Sequence, residues 1–259
     1  FIRVDRNTPS GNIIHVIMMQ TPDSTDPNGP TRGTYYAYST NGGGTWDTFN
    51  QLRVPDRRSG YPSLDMLQGS IQGTIIGNHS VPGTGVLSSF IYVDSPPGGG
   101  AFSELGPPGE PFGSDERIWP DVTSASDGSI SFTASRQTAR TCFVTRTVDF
   151  VSWASWTAIN PTGSAGLPMK SNTTGRVGII HNTTFGVADG VYFFESTNNG
   201  ATWPATGQLL FPAQRIVGPD TMGFTLGSDL VYNGNNALVV VAETNDGINA
   251  PTDSAQITF

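Results

Sequence analysis

Residues 39–46 read STNGGGTW, and residues 196–203 read STNNGATW. Both spell Ser-Thr-Asn-x-Gly-x-Thr-Trp, 157 residues apart in a chain of 259. A phrase repeated at such a distance marks an internal repeat. Two degraded copies between the perfect ones set its period. A glycine turn precedes Phe102 in PPGGGAF, and a shortened turn precedes Trp153 in TVDFVSW. Trp46, Phe102, Trp153 and Trp203 are therefore spaced by 56, 51 and 50 residues. A second marker keeps a similar period. It is a large apolar residue before proline, at Tyr61-Pro62, Trp119-Pro120 and Leu167-Pro168.

Between the markers the chain reads as short strands rich in aromatic and β-branched residues, punctuated by Gly, Pro, Asn and Asp. NIIHVIMMQ, GTIIGNHSV, SISFTASR, RVGIIHNTT and NALVVVAET read as second strands of successive units. GTYYAYST, GVLSSFIYV, RTCFVTRTV and GVYFFEST read as third strands. Four strands per roughly 50 residues is the arithmetic of a propeller blade. The predicted fold is all-β: a single or partial β-propeller of four-stranded antiparallel blades, about four and a half to five of them. The predicted blades are 1–54, 55–106, 107–160, 161–212 and 213–259, the last holding three strands and no closing Trp phrase. Fourth strands are expected to start near Trp46, Phe102, Trp153 and Trp203.

The repeated phrase has a mechanical role. Ser39 ends a third strand, and Asn41 can close an Asx-type turn onto backbone N–H groups. Gly43 and its neighbours permit positive φ in a tight hairpin. Trp46 is expected to fold back over that hairpin and be largely buried. Ser196, Asn198, Gly200 and Trp203 repeat these roles. The pattern resembles the Asp-box of sialidase-like β-propellers, with Asn where that motif has Asp. The resemblance implies a structural hairpin between strands three and four, away from any active face. The wording RGTYYAYSTNGGGTW, with GYPSLD and RIWPDVT, also resembles secreted Bacteroidetes propellers exported by type IX secretion.

Composition narrows the partners. Charged residues are 13% of the chain, with 32 Gly and 19 Pro. The formal net charge is −8, so the phosphate backbone of a nucleic acid is no natural partner. No run approaches the roughly 20 apolar residues of a membrane span. The cations are 12 Arg and one Lys, Lys170, a skew that nothing in the sequence explains. Gly, Ser, Thr and Asn richness suits an extracellular or cell-surface location. The chain opens and closes inside strand-like segments, which reads as a processed or partial product of a longer precursor. The single cysteine, Cys142, lies in a strand-like run and reads as a small buried hydrophobe.

No catalytic residue, metal site or cofactor is assigned. The sialidase resemblance would require an arginine triad, a Tyr/Glu nucleophile pair and an aspartate acid/base. None sits in a recognisable phrase, so sialidase turnover is not expected. His15, His79 and His181 fall at similar places in second strands and read as half-buried strand residues sooner than as metal ligands. The loop DSTDPNG lacks calcium-ligand spacing. Recognition is expected on the face opposite the glycine hairpins, where longer loops cluster at 21–32, 55–62, 106–120, 160–168 and 211–223. Candidate binding residues there are Arg58, Tyr61, Arg117, Trp119 and Asp220. Tyr61 and Trp119 either pack between blades or contact a ligand. The expected function is a binding or adhesion module for a glycan or protein. The alternatives are a structural subunit that self-associates through open strand edges, and a glycoside hydrolase.

Overall fold

The computed structural model describes residues 2–5, 13–21, 25, 29, 31–47, 52–81, 87–106, 117–159, 167–183, 190–212, 214–217, 220–233, 237–246 and 255–258. The side chains of 4, 5, 182, 214–228, 237–246 and 255–258 fall outside that description. Five four-stranded antiparallel sheets follow one another along the chain. The first is β1 (Ile2–Asp5), β2 (Ile13–Gln20), β3 (Gly33–Ser39) and β4 (Leu52–Arg53). The second is β5 (Ser59–Met66), β6 (Thr74–Ser80), β7 (Ser88–Asp94) and β8 (Ser103–Leu105). The third is β9 (Arg117–Ser124), β10 (Ile130–Arg136), β11 (Cys142–Thr147) and β12 (Thr157–Ile159). The fourth is β13 (Met169–Ser171), β14 (Val177–Thr183), β15 (Gly190–Ser196) and β16 (Gln208–Pro212). The fifth is β17 (Gln214–Val217), β18 (Asp220–Asn233), β19 (Ala237–Asp246) and β20 (Ala255–Thr258). Inner strands lie side by side, β1 on β5, β5 on β9 and β9 on β13, and β13 meets β18 of the fifth sheet. This is the blade arrangement of a β-propeller, with the inner strands lining a common axis.

The apolar cores lie between blades. Successive side chains of a strand point to opposite faces, so Ile75 packs toward the third blade with Val122, Ile130 and Phe132. Its neighbour Ile76 packs toward the first with Ile17, Tyr36 and Leu64. In β14, Ile179 joins Val144 and Ile159 of the third blade, and Ile180 joins Leu230 of the fifth. Cys142 belongs to the core between the third and fourth blades and is fully buried.

The fifth blade departs from the repeat. Gln214–Val217 adds β17, which pairs with the opening of β18, so NALVVVAET is third in sheet order instead of second. Residues 214–217 and 220–223 are paired strands, where the sequence suggested a long loop. The terminal strands are also paired: Ile2–Asp5 with Ile13–Val16, and Ala255–Thr258 with Ala242–Asn245. No helix among the described residues is long and apolar enough to cross a membrane.

The repeated phrases fold into the same hairpin twice. Ser39 Oγ accepts the Gly43 N–H at 2.9 Å, and Asn41 Oδ1 accepts the Thr45 N–H at 2.8 Å. Asn41 Nδ2 donates to Thr45 Oγ1 at 2.9 Å. In the second copy Ser196 accepts from Gly200, Asn198 Oδ1 from Thr202, and Asn198 Nδ2 donates to Thr202 Oγ1, each at 3.0 Å. Gly43 and Gly200 have φ of 90° and 79°. A Cβ on Gly200 would also collide with Ser131 Oγ of the adjacent blade. The third copy keeps the device in acidic form, with Asp149 Oδ1 accepting from Val151 and Ser152 at 2.9 and 2.7 Å.

Two expectations about the aromatic that follows need correction. The outer strand of the second blade begins at Ser103, directly after Phe102 as expected, but the others begin at Leu52, Thr157 and Gln208, four to six residues past Trp46, Trp153 and Trp203. Trp46 is also 38% exposed, not buried against its own hairpin. The reason is where these rings pack. Phe102 packs into the core between the first and second blades, Trp153 between the second and third, and Trp203 between the third and fourth. Each turn aromatic thus seals its blade onto the preceding one. Trp46 belongs to the first blade, and it lies open beside Val16, Met18 and Tyr35 along a cavity of about 240 Å³. Trp203 is half-buried, with Nε1 donating to Gly200 O at 3.1 Å.

Trp203→Ala is therefore expected to cost about 2–4 kcal/mol and Trp46→Ala less than about 1.5 kcal/mol, read from chemical denaturation. The reverse order would contradict the sealing role. A second outcome concerns acid. The hydrogen bonds from Ser152 and Val151 lower the Asp149 carboxyl to about 2. A depressed folded-state value means the contribution is fully present above the ordinary carboxylate range and is lost as pH falls through about 2. Asp149→Asn should flatten that part of the acid limb in a pH series of melting temperatures.

Candidate functional site

The inner strands β5 and β9 enter from the face opposite the glycine hairpins, and each carries an irregularity at its aromatic-proline pair. The ladder slips between Gly60 and Ser63 of β5, and opposite Thr133 and Ser135 beside β9. Proline has no N–H for the ladder, so a bulge is where a strand tolerates it. Tyr61 and Trp119 both take left-handed backbone, with φ of 48° and 50°. That conformation costs a non-glycine residue roughly 1–2 kcal/mol. The two aromatics are therefore strand residues, where the sequence suggested loops. Tyr61 is turned out of the wall and stands 48% exposed. Its ring meets that of Trp119 edge-on, at 6.4 Å between centroids, and that of His79 at 4.9 Å.

Cations gather around this pair. The Arg140 guanidinium lies 4.7 Å from the Trp119 ring centroid. Arg32 is buried beside Gly60, where a Cβ would press on its guanidinium and on Met19. Burial and the adjacent Arg58 charge lower the Arg32 pKa. Burial, then Arg32, then Arg58 lower His79 to about 3, so its ring is neutral at physiological pH. Arg58 Nε is buried with no hydrogen-bond partner among the described residues. Arg117 is buried and donates from Nε and Nη2 to Ser88 Oγ at 3.1 and 2.6 Å. Arg57 is structural: it bridges Ser80, Tyr92 and Glu104.

Of the residues expected from sequence, Arg58, Tyr61 and Trp119 come together, and Arg117 lies at the same end of β9. Asp220 opens β18, paired with Val217, and its side chain lies outside the described residues. So do the loop acids Glu110, Asp115 and Glu116, and most of 21–32 and 160–168. Sequence reasoning missed that Arg32, His79 and Arg140 join the cluster. A signal did exist: all three sit at the ends of strands that open on this face. The histidines are not matched in depth. His79 is next to last in β6, whereas His15 lies near the start of β2, its Nδ1 within 2.6 Å of the Tyr36 hydroxyl. Among the described residues no group of three or more His, Cys, Asp or Glu could hold a metal ion. Asn78 and Asn172, each opening an Asn-x-Ser/Thr sequence of the kind that can accept N-glycans, are buried.

Deeper along the axis lies a mixed charge group. Arg3 Nε bonds Asp65 Oδ1 at 3.3 Å, and Asp65 Oδ2 accepts from Thr123 Oγ1 at 2.5 Å. Asp121 is buried and accepts the N–H of Val122 at 2.7 Å. Asp229 accepts that of Leu230 in the same way, at 2.8 Å. Burial raises the Asp121 carboxyl to about 6 against the opposing pull of Lys170 and Arg3, and Asp229 adds to the rise.

No protein-family profile matches the chain, and no curated protein matches it in sequence. Solved structures match it in fold. An α-L-arabinanase of Penicillium chrysogenum, complexed with arabinobiose, superposes on 98% of the chain with a TM-score of 0.57 and 18% identity, covering 80% of the arabinanase. A Hadza microbial sialidase superposes on 96% with a TM-score of 0.55 and 12% identity, and the chain spans 50% of its length. An ulvan lyase bound to -[GlcA(1-4)Rha3S]- superposes on 98% with a TM-score of 0.53 and 13% identity, over 67% of the lyase. At these identities the likeness is one of fold.

The strain at Tyr61 yields a discriminating substitution. Tyr61→Gly removes the ring and relieves the left-handed backbone. Thermal stability should hold or rise by up to about 1 kcal/mol, whereas an ordinary packing residue would lose stability. A melting temperature lowered by several degrees would show Tyr61 to be a blade-packing residue.

Proposed function

We propose that this chain is an extracellular β-propeller module that binds anionic glycans, those bearing carboxylate or sulfate groups, at the mouth formed by Arg32, Arg58, Tyr61, His79 and Trp119. One observation carries the reading: two guanidinium groups that repel each other are held beside exposed Tyr61 and neutral His79. Arg58 supplies the donor, since its Nε is buried with no hydrogen-bond partner among the described residues. Guanidinium recognises planar carboxylate or sulfate oxygens with directed hydrogen bonds, and aromatic rings offer apolar faces to sugar C–H groups. Fold neighbours act on or bind carbohydrates, including the uronate- and sulfate-bearing chain held by the ulvan lyase. The Ser-Thr-Asn hairpins are read as Asp-boxes in which carboxamide replaces carboxylate. Export, by a type IX route or another, rests on sequence resemblance.

A glycan array with the whole chain should retain uronate- or sulfate-bearing oligosaccharides. Arg58→Gln should weaken that binding at least tenfold, and rising salt should weaken it further. Equal retention by Arg58→Gln and the parent would overturn the reading.

The glycoside hydrolase reading has its own observation. Asp121 holds its proton to about pH 6 on the axis, with Asp229 close enough to raise it. Glycoside hydrolysis needs a carboxyl that is protonated and a second that is ionised. Turnover of an aryl glycoside that is abolished by Asp121→Asn would establish this activity.

A further inference from the structure

The opposite end of the axis carries a different site. Where the inner strands reach the hairpin face, a cavity of about 850 Å³ opens, lined by Leu67, Gln68, Gln72, Ser126, Asn172 and Tyr232 among others. Its volume lies within the roughly 300–1,000 Å³ of small-molecule sites. No lining residue carries a formal charge; hydroxyls and carboxamides from four blades supply the polar groups. The wall is held in place from behind. Gln68 Nε2 donates to Ser124 O and to Ser171 Oγ, both at 2.8 Å, tying the second, third and fourth blades together. Ser126 Oγ donates to Asn199 Oδ1 at 3.0 Å. Asn172 Oδ1 accepts from the N–H groups of Thr174 and Arg176 at 2.9 and 3.0 Å. The Tyr232 hydroxyl donates to Glu195 Oε1 at 2.9 Å, which fixes the ring at the cavity edge. These bonds hold the wall rigid, which lowers the cost of ordering it on binding, and the uncharged carboxamide of Gln72 and hydroxyl of Thr173 at the rim can meet the hydroxyls of a ligand without attracting an ion.

We infer that this cavity is a second binding site, for a neutral polyhydroxylated ligand of sugar type. It is independent of the arginine-lined mouth at the other end. Gln72 and Thr173 are exposed at its rim, so their side chains can be removed without opening the core.

The test is saturation-transfer NMR and calorimetry on the whole chain with xylobiose, maltose and lactose as probes. At least one probe should bind saturably. The Gln72→Ala/Thr173→Ala double variant should weaken it at least tenfold with an unchanged melting temperature. Arg58→Gln and added salt should leave it unaltered. Failure of all three probes to bind, or binding that survives the double variant, overturns the inference. So does binding that is lost with Arg58→Gln. Because the anionic-glycan reading is tested by the response to Arg58→Gln, either site can fail alone.

Discussion

Among the described residues, the apolar cores of this protein lie between blades and not within them. A four-stranded sheet is one layer thick, and its two faces are covered only by its neighbours. Ile75 and Ile76 show the constraint most directly: adjacent in sequence, both fully buried, they belong to different cores. Apolar burial at about 25 cal/mol per Å² therefore accrues at junctions between blades and not within them. Stability in such an array is a sum of nearest-neighbour terms. Everything at the two ends of the axis is held in position by that stacking.

The same stacking frees the ends for chemistry. At one end, prolines interrupt the inner ladder and turn Tyr61 and Trp119 out of the wall into a ring of cations. At the other, short turns present carboxamides and hydroxyls. Between them lies the Arg3–Asp65 pair with buried Asp121. The axis thus runs from a cationic mouth through a mixed charge group to a neutral basin. Charge is graded along a column that no single blade supplies.

The repeat was legible because its turn chemistry is local. Asn41 and Asn198 act within four residues, so the phrase survives reading without any knowledge of packing. The period of the proline marker was legible for the same reason, but its meaning was not. Tyr61-Pro62 reads as a loop by composition, and only the ladder of β6 beside it makes it a bulge. The exposure of Trp46 escaped because burial of a turn aromatic is decided by the preceding blade and not by the turn itself. Arg32 and His79 escaped because convergence across blades has no signature in spacing. The extra strand β17 hid in FPAQRIVGPDTMG, whose Gly and Pro content reads as turn.

The direction of the aromatic seal bears on how the chain is made. Phe102, Trp153 and Trp203 each close a junction with the blade before, never with the blade after. A polypeptide emerging from a ribosome or a secretion pore always offers its earlier part first. Each new unit here thus meets a docked surface by the time its own turn ring appears, and no ring waits on sequence still to come. Assembly can proceed one blade at a time from the amino-terminal side, with each new blade covering the face that the one before it left open.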